Sequence, residues 1–212
     1  MLEDDELEEL KSRLKNEFSG YTELTGGKNY RFHHLETTRK MVLKLVEDLE
    51  VNVDEKVLEV AALYHDIGRA EDIEDGEMNP IEDHEGHAER GAESVDEFVT
   101  EFVDDKQLGK IKNIIRNHHS EPETVEGKIL QDCDTVSNFG VSNLWRQFNY
   151  ATNNEASLYE SLDYFWNTAV EEFENQIEDL YFEKSKEVAR DRLENHKEAV
   201  ERIEREMNAE DF

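Results

Sequence analysis

The pair His65-Asp66 ends the most apolar stretch of the chain, which runs from Val57 to Tyr64. Two ionisable side chains at the end of a buried stretch need a partner, because a buried charge without one is costly. A divalent metal ion can be that partner, since imidazole and carboxylate together suit manganese, iron, cobalt, nickel and zinc. We therefore expect a metal site at this point. The alternative is that the two side chains only pair with each other.

The other histidines strengthen this expectation by their distribution. Seven of the eight lie within the first 120 residues. The complete set is His33, His34, His65, His84, His87, His118, His119 and His196. We interpret His84 and His119 as bystanders. The single cysteine, Cys133, stands between two aspartates on a predicted buried helix, and we interpret it as a small core residue rather than a nucleophile.

Helices must position these residues. Apolar residues recur with a helical period along nearly the whole chain, and strand-like alternation is scarce, so we predict an all-α fold. The predicted helices cover residues 2–18 and 31–49, then a third helix that begins after Asp54 and ends in His65-Asp66-Ile67-Gly68. Further helices are predicted over 85–103, 105–119 and 126–139, followed by two long helices from residue 154, the last over 185–207. Asp54 is the expected N-cap of the third helix.

The predicted organisation is a helical bundle in three parts. An acidic helix and loop cover residues 1–29, a metal-binding domain covers 30–150, and a helical C-terminal extension over 151–212 packs on the same domain. Two segments, Gly20 to Asn29 and Arg69 to Glu82, are predicted as loops. The second is long for a compact domain, and long loops are often functional lids.

The composition limits the partners of the chain. Its 212 residues contain 54 Asp and Glu against 24 Lys and Arg, for a net charge of −30. Duplex nucleic acid and anionic membranes are excluded as default partners, because both need clustered basic residues. No apolar run approaches the length of a membrane span, and the first residues do not resemble a signal peptide. The single cysteine suits a reducing compartment, so we expect a cytoplasmic protein.

The acidic residues are dispersed along every segment instead of forming one tail. Helical periodicity and an aromatic content of 9% argue against disorder. Dispersed carboxylates with few lysines are typical of proteins from salt-loving organisms, where salt screens their repulsion. The alternative is an ordinary acidic protein. If the substrate is an anion, its approach is slowed at low salt, so we expect activity to rise with salt.

Five blocks in a fixed order resemble the HD-domain metal-dependent phosphohydrolase superfamily. The blocks are Arg31-Phe32-His33-His34 (R-x-x-H), residues 61–69 (AALYHDIGR, around the HD pair), residues 87–92 (HAERGA), Ile115-Arg116-Asn117-His118, and residues 128–134 (KILQDCD). Weaker similarity to small bacterial and archaeal HD hydrolases continues through residues 139–148 and 180–192, so the resemblance covers roughly residues 30–205. The last block departs from the common D-A-D-[KR]-L-D pattern, because Thr135 and Ser137 replace a basic and an acidic residue.

The resemblance implies a set of ligands for a divalent metal ion. It leaves open whether this ion is Mn, Mg, Fe, Co, Ni or Zn. The ligands are His34, His65, Asp66 and Asp134. His33 is the alternative ligand in the first block, since only the spacing from Arg31 favours His34. The resemblance also implies that Asp66 orients or deprotonates the attacking water. The number of ions is left open between one and two.

The remaining candidates contact the substrate or a second ion. In the related proteins, histidines at the positions of His87 and His118 either hold a second metal or contact the substrate phosphate. Arg69 and Arg146 are the best cationic phosphate contacts, because a guanidinium group binds phosphate in a planar, bidentate manner. Arg69 has an alternative role as partner of the nearby acids Glu71 and Asp72.

These observations predict a metal-dependent phosphohydrolase. It would cleave a phosphomonoester or phosphodiester of a nucleotide-like small molecule with a metal-activated water. Two alternatives remain: a di-iron oxygenase on the same scaffold, and a non-catalytic module that senses a nucleotide or binds a partner. The expected ligand is a phosphorylated small molecule, and the sequence leaves the oligomeric state open.

Overall fold

The computed structural model describes residues 1–79 and 86–212. The chain forms two compact units, Met1–Asp134 and Thr135–Phe212. About 70% of it is helical, which confirms the predicted all-α class. The predicted division into residues 1–29, 30–150 and 151–212 stays a prediction. Among the described residues, no helix is both long and apolar enough to cross a membrane.

The first unit consists mainly of helices. Its α-helices are α1 (Asp4–Glu17), α2 (Tyr30–Leu49), α3 (Glu55–Tyr64), α4 (His87–Ser94), α5 (Asp96–Val99), α6 (Asp105–Arg116) and α7 (Val125–Ser137), whose last three residues belong to the second unit. A 3₁₀ helix spans Ile67–Asp72. Three short strands are β1 (Thr22–Glu23), β2 (Gly27–Lys28) and β3 (Glu77–Met78).

Helix α3 is the centre of this unit. All its residues from Val57 to Tyr64 are buried, and it packs between α2 and α6. Asp54 caps it as predicted, since its side chain accepts a hydrogen bond from the backbone N–H of Val57 at 3.3 Å. The buried Tyr64 hydroxyl donates to the carbonyl of Leu10 at 2.8 Å. This apolar packing holds the C-terminal end of α3, and with it His65, in the interior.

The segment predicted as a loop from Gly20 to Asn29 forms part of a small sheet instead. Strand β1 pairs antiparallel with β2 and parallel with β3, in the order β2-β1-β3. The turn between β1 and β2 requires a positive φ of 81° at Gly27, which glycine adopts without strain. The sheet buries Glu23, a residue that the sequence did not single out.

The polar segment after the HD pair is also more ordered than predicted. It contains the 3₁₀ helix and β3, while Pro80 and His84 lie outside the described residues. A Cβ atom on Gly68 would lie 2.1 Å from the carbonyl oxygen of His87, so only glycine permits this approach between the 3₁₀ helix and α4. The close approach brings His87 near Asp66. The helix predicted over residues 85–103 is interrupted and forms α4 and α5.

The second unit is entirely helical from Asn143 onward, apart from short connections. It contains α8 (Asn143–Asn153), α9 (Leu158–Tyr164), a π-helical turn (Phe165–Ala169), α10 (Val170–Asp179) and α11 (Glu183–Met207). The sequence predicted α11 nearly to the residue but left α8 unassigned. Leu162, Phe165, Ala169 and Val200 form its buried cluster, with Leu144 and Phe148 of α8 packed against them.

Candidate metal centre

Asp66 lies at the centre of the site, because the chain passes directly from α3 through His65 into the 3₁₀ helix. Its two carboxylate oxygens face different histidines. Oδ1 lies 3.3 Å from Nε2 of His87 and 3.5 Å from Nε2 of His118. Oδ2 lies 3.7 Å from Nε2 of both His34 and His65. One carboxylate therefore joins two groups of imidazoles.

The first group contains the four residues predicted as metal ligands. His34, His65 and Asp66 have donor atoms within 4.8 Å of one another. Asp134 from α7 adds a second carboxylate, whose Oδ1 lies 3.1 Å from Nε2 of His34 and 3.5 Å from Nε2 of His65. The packing of α2 against α3 brings His34 beside the end of α3. By contrast, His33 is exposed, with its ring against Phe32.

The second group shares Asp66 and adds three histidines. His87, which begins α4, and His118 and His119, which follow α6, lie with Asp66 within 4.8 Å of one another. Nε2 of His119 is 3.0 Å from Nε2 of His87. Two imidazoles that bind one ion at about 2.1 Å have nitrogens about 3.0–3.4 Å apart. The spacing therefore fits a shared ion.

Two of the buried histidines have their ring orientation set by backbone carbonyls. Nδ1 of His65 lies 2.9 Å from the carbonyl of Ala62, and Nδ1 of His118 lies 2.6 Å from the carbonyl of Ile115. A carbonyl only accepts, so Nδ1 carries the hydrogen, and Nε2 of the neutral ring presents a lone pair. Both Nε2 atoms are buried without a hydrogen-bond partner among the described residues. These lone pairs fit a metal ion, one in each group.

A buried network orients Asp66 from the opposite side. Arg31 donates from Nη1 to Oδ2 of Asp66 at 2.6 Å and from Nη2 to Oε1 of Glu23 at 2.9 Å. The backbone N–H of Arg31 donates to the Tyr21 hydroxyl at 2.7 Å, and Thr25 donates to Glu23 at 3.1 Å. All five side chains are buried. The small sheet thus supports the site through Glu23.

The two site carboxyl groups are ionised. Burial raises the pKa of Asp66, but Arg31 and His65 outweigh this effect and hold the pKa well below its usual value. The pKa of Asp134 is also held well below its usual value, because His65 and His34 outweigh burial. Burial lowers the pKa of His34. Burial also acts to lower the pKa of His65, but Asp66 and Asp134 raise it overall.

The two predicted phosphate contacts lie in different units. Arg69 is buried in the first unit, where its Nε donates to Oδ1 of Asp66 at 3.3 Å. Arg146 lies on α8 of the second unit, where its guanidinium donates to the side-chain oxygen of Asn138. Cys133 is buried, as expected for a core residue.

Sequence reasoning missed two residues of the site. His119 is at the surface end of the second group, although its place in the sequence predicts a bystander. Its position next to His118, directly after α6, was the available signal. No sequence pattern indicates Glu23, because it stands alone in a segment predicted as a loop. It is linked to Asp66 through Arg31.

A family model matches the chain. The HD domain model aligns with residues 31–138, more than half of the 212-residue chain, and this range contains every residue of the two donor groups. No curated protein matches the chain in sequence.

Several solved structures share the fold. A predicted HD-superfamily hydrolase from an uncultured Thermotogales bacterium is 22% identical, with a TM-score of 0.66 over 95% of this chain and 92% of that one. An HD-superfamily hydrolase from Bacillus thuringiensis is 20% identical, with a TM-score of 0.67 over 97% and 98%. Bacillus subtilis YpgQ in complex with ADP is 19% identical, with a TM-score of 0.63 over 94% and 96%. Because the HD domain model matches more than half of the chain, the chain belongs to the HD-domain family.

Proposed function

We propose that this protein is a metal-dependent phosphohydrolase that cleaves a phosphoester bond of a nucleotide-like small molecule. The observation that carries the proposal is the position of Asp66, whose two oxygens face two groups of histidines. The Nε2 atoms of His65 and His118, buried without a hydrogen-bond partner in the described part of the chain, make both groups suitable for a divalent ion. We further propose that each of the two donor groups, both of which include Asp66, would hold one divalent ion.

Bound metal changes the sign of the charge at the site. The carboxylates of Asp66, Asp134 and Glu23 carry −3, and Arg31 and Arg69 carry +2, for a net −1 when the histidines are neutral. One divalent ion makes this +1, and two make it +3. A local positive charge inside a chain of net charge −30 favours an anionic substrate such as a phosphate ester.

The residues of the chain have separate tasks in this proposal. A divalent ion supplies an acidified water and a positive charge beside the phosphoryl group. Asp66, held ionised by Arg31, would orient that water. Arg69, whose Nε donates to Oδ1 of Asp66, is assigned to a phosphoryl oxygen of the substrate. His87 and His118 would hold the second ion, while Arg146 of the second unit stays a predicted phosphate contact.

The substrate class rests on a structural neighbour. YpgQ was solved in complex with ADP, and it matches nearly the full length of this chain. At 19% identity this likeness concerns the fold, so a nucleoside phosphate enters here as a proposal. Arg69 and the two donor groups with bound metal would provide the positive charge that a phosphate group requires.

The proposal is tested by metal content and product analysis. The purified chain is loaded with Mn²⁺, and nucleoside mono-, di- and triphosphates are incubated with it and separated by chromatography. We expect bound metal and release of phosphate or pyrophosphate from at least one nucleotide. Asp66→Asn keeps the size of the side chain but removes its charge, and it should lose both metal and activity.

The matched control is His33→Ala, which removes an exposed histidine one position before a proposed ligand. It should bind metal and act like the unmodified chain. A metal-free protein, or undiminished activity in Asp66→Asn, would contradict the proposal. Full metal occupancy without turnover of any phosphoester would instead favour the non-catalytic sensing module.

The two joined donor groups also fit a second candidate function, a di-iron oxygenase. Histidine and carboxylate ligands suit iron as well as manganese. The distinguishing experiment loads the chain with Fe²⁺ without oxygen and then adds oxygen. Two irons per chain, a mixed-valent spectroscopic signal and oxygen consumption with an organic substrate would favour this function, whereas phosphoester cleavage under the same conditions would exclude it.

A further inference from the structure

Three carboxylates and two guanidinium groups of the described residues meet at the metal centre. Glu23, Asp66 and Asp134 carry the negative charges, and Arg31 and Arg69 carry the positive ones. Asp66 and Asp134 are proposed ligands, whereas Glu23 belongs to neither donor group. Without the fully buried Glu23 the two signs would balance. An excess buried charge destabilises the fold, so it calls for a cation that these side chains do not supply.

The carboxylate of Glu23 is held in one orientation. It stands on β1, the middle strand of the small sheet, which pairs with β2 on one side and β3 on the other. Its Oε1 accepts hydrogen bonds from the Thr25 hydroxyl at 3.1 Å and from Nη2 of Arg31 at 2.9 Å. The Tyr21 hydroxyl donates to Oε2 at 3.4 Å. These donors keep the negative charge of Glu23 beside the guanidinium group of Arg31.

Arg31 by itself would oppose the binding of a metal ion. Its Nη1 donates to Oδ2 of Asp66, the oxygen that also faces the histidines of the first group. A carboxylate oxygen has two lone pairs, so it can accept this hydrogen bond and still bind an ion. However, the positive charge of Arg31 repels the ion, and buried charges are poorly screened. Glu23, bound to the other terminal nitrogen of the guanidinium group, offsets this charge.

We propose that Glu23 is a positioning residue of the metal centre, which offsets the charge of Arg31 so that Arg31 orients Asp66 without repelling the metal ion. Glu23 therefore raises the affinity for a divalent ion in addition to any contribution to the fold. This role rests on the metal binding that we propose for the first group, but not on the reaction that the metal serves.

The first test is Glu23→Gln, which keeps the shape of the side chain and one acceptor oxygen but removes the charge. We expect the affinity for Mn²⁺ to fall about 10- to 100-fold, the range typical of residues that contact metal ligands. Glu23→Asp, which keeps the charge, should lose less. Calorimetric titration of the full chain with Mn²⁺ measures these affinities. An unchanged affinity in Glu23→Gln, or an equal loss in both variants, would overturn the proposal.

The matched control is Glu59→Gln, which removes another buried carboxylate that pairs with an arginine. Oε1 of Glu59 accepts from Nη1 of Arg39 at 2.7 Å. Glu59 precedes His65 by six residues, about 9 Å along the axis of α3. Urea denaturation should show a loss of stability in both glutamine variants, but only Glu23→Gln should lose affinity for Mn²⁺. Equal losses of affinity would attribute the effect to a loosened fold and overturn the proposal.

The second test separates charge from packing. Adding Arg31→Met to Glu23→Gln removes the positive charge that Glu23 offsets, so the net charge of the centre returns to that of the unmodified chain. We expect the double variant to recover part of the affinity for Mn²⁺ that Glu23→Gln loses, and circular dichroism checks that each variant is folded. If Glu23 served only the fold, the second substitution would lower the affinity further. That result would overturn the proposal.

The same titrations separate this role from the proposed reaction. Suppose that the unmodified chain binds Mn²⁺, that Glu23→Gln weakens this binding, and that no phosphoester is cleaved. The role of Glu23 then stands, and the phosphohydrolase activity fails. An unmodified chain that binds no Mn²⁺ would overturn both.

Discussion

In the first unit the buried rings of His65 and His118 each face a carboxylate, whereas in the second unit the buried ring of His196 faces phenylalanines. Nε2 of His65 and of His118 lies 3.5 Å from an aspartate oxygen. The ring of His196 lies 4.4 Å from that of Phe165 and 6.1 Å from that of Phe173, measured between ring centres. Both nitrogens of His196 lack a hydrogen-bond partner among the described residues.

This difference separates two reasons for burying a histidine. Carboxylates beside an imidazole favour a bound cation, and the pKa of His65 is raised by Asp66 and Asp134 against the effect of burial. Around His196 no charge of the described residues opposes burial, which lowers its pKa to about 4. The first environment is suited to metal chemistry and the second to packing of a neutral ring. Burial of a histidine by itself therefore does not indicate a site.

The strongest test of this contrast removes the charge that the first unit buries. Arg31→Met leaves the carboxylates of Glu23 and Asp66 without their cation, and in metal-free protein we expect a loss of about 3–5 kcal/mol in the free energy of unfolding. Urea denaturation measures this loss. Adding Glu23→Gln to Arg31→Met should restore part of it, because one buried charge is removed. Equal stability of Arg31→Met and the unmodified chain would contradict the role of this network.

The next test compares two adjacent histidines. His34→Ala removes a proposed ligand and should lower the affinity for Mn²⁺ about 100- to 1,000-fold, more than the loss of a residue outside the coordination shell. His33→Ala removes an exposed ring and should change the affinity for Mn²⁺ by less than about twofold. Calorimetric titration with Mn²⁺ measures both. If the larger loss follows His33→Ala, the alternative ligand of the first block is the correct one.

The third test concerns the second unit and pH. The pKa of His196 is lowered from 6.5 to about 4, so the unfolded chain binds a proton in this interval that the folded chain does not. Stability is therefore present above pH 6.5 and is lost as pH falls toward 4, by up to about 3 kcal/mol. His196→Leu should lack this contribution. The free energy of unfolding of both proteins is measured at pH 6.5 and at pH 4. If it changes with pH by the same amount in both proteins, His196 does not make this contribution.

The smallest expected effect belongs to His119. Because it stands at the exposed end of the second group, His119→Ala should weaken only the more weakly bound ion, by about tenfold. A titration that resolves two binding steps, followed by elemental analysis, measures this change. His119→Asn is the control for loss of volume. A loss of the first binding step, or no change in either step, would remove His119 from the proposed ligands.

Sequence patterns predicted the local structure where one segment decides it alone. The apolar period from Val57 to Tyr64 and the cap at Asp54 predicted α3 closely. The sequence does not predict the strands on either side of the turn at Gly27, because two-residue strands have too few positions for an alternating pattern. The break between α4 and α5 was missed for a related reason, since the apolar period continues through it.

The sequence by itself determined the helical class and, through the order of the blocks around His34, His65-Asp66 and Asp134, the predicted metal ligands. The helical class depends on periodicity within single segments, whereas the ligand set is what the resemblance of the ordered blocks to the HD superfamily implies. Only the tertiary structure decided that Asp66 joins two histidine groups, that His119 belongs to one of them, and that Glu23 supports the site through Arg31. Such contacts join residues far apart in the chain, so they depend on how helices pack, which no local pattern encodes.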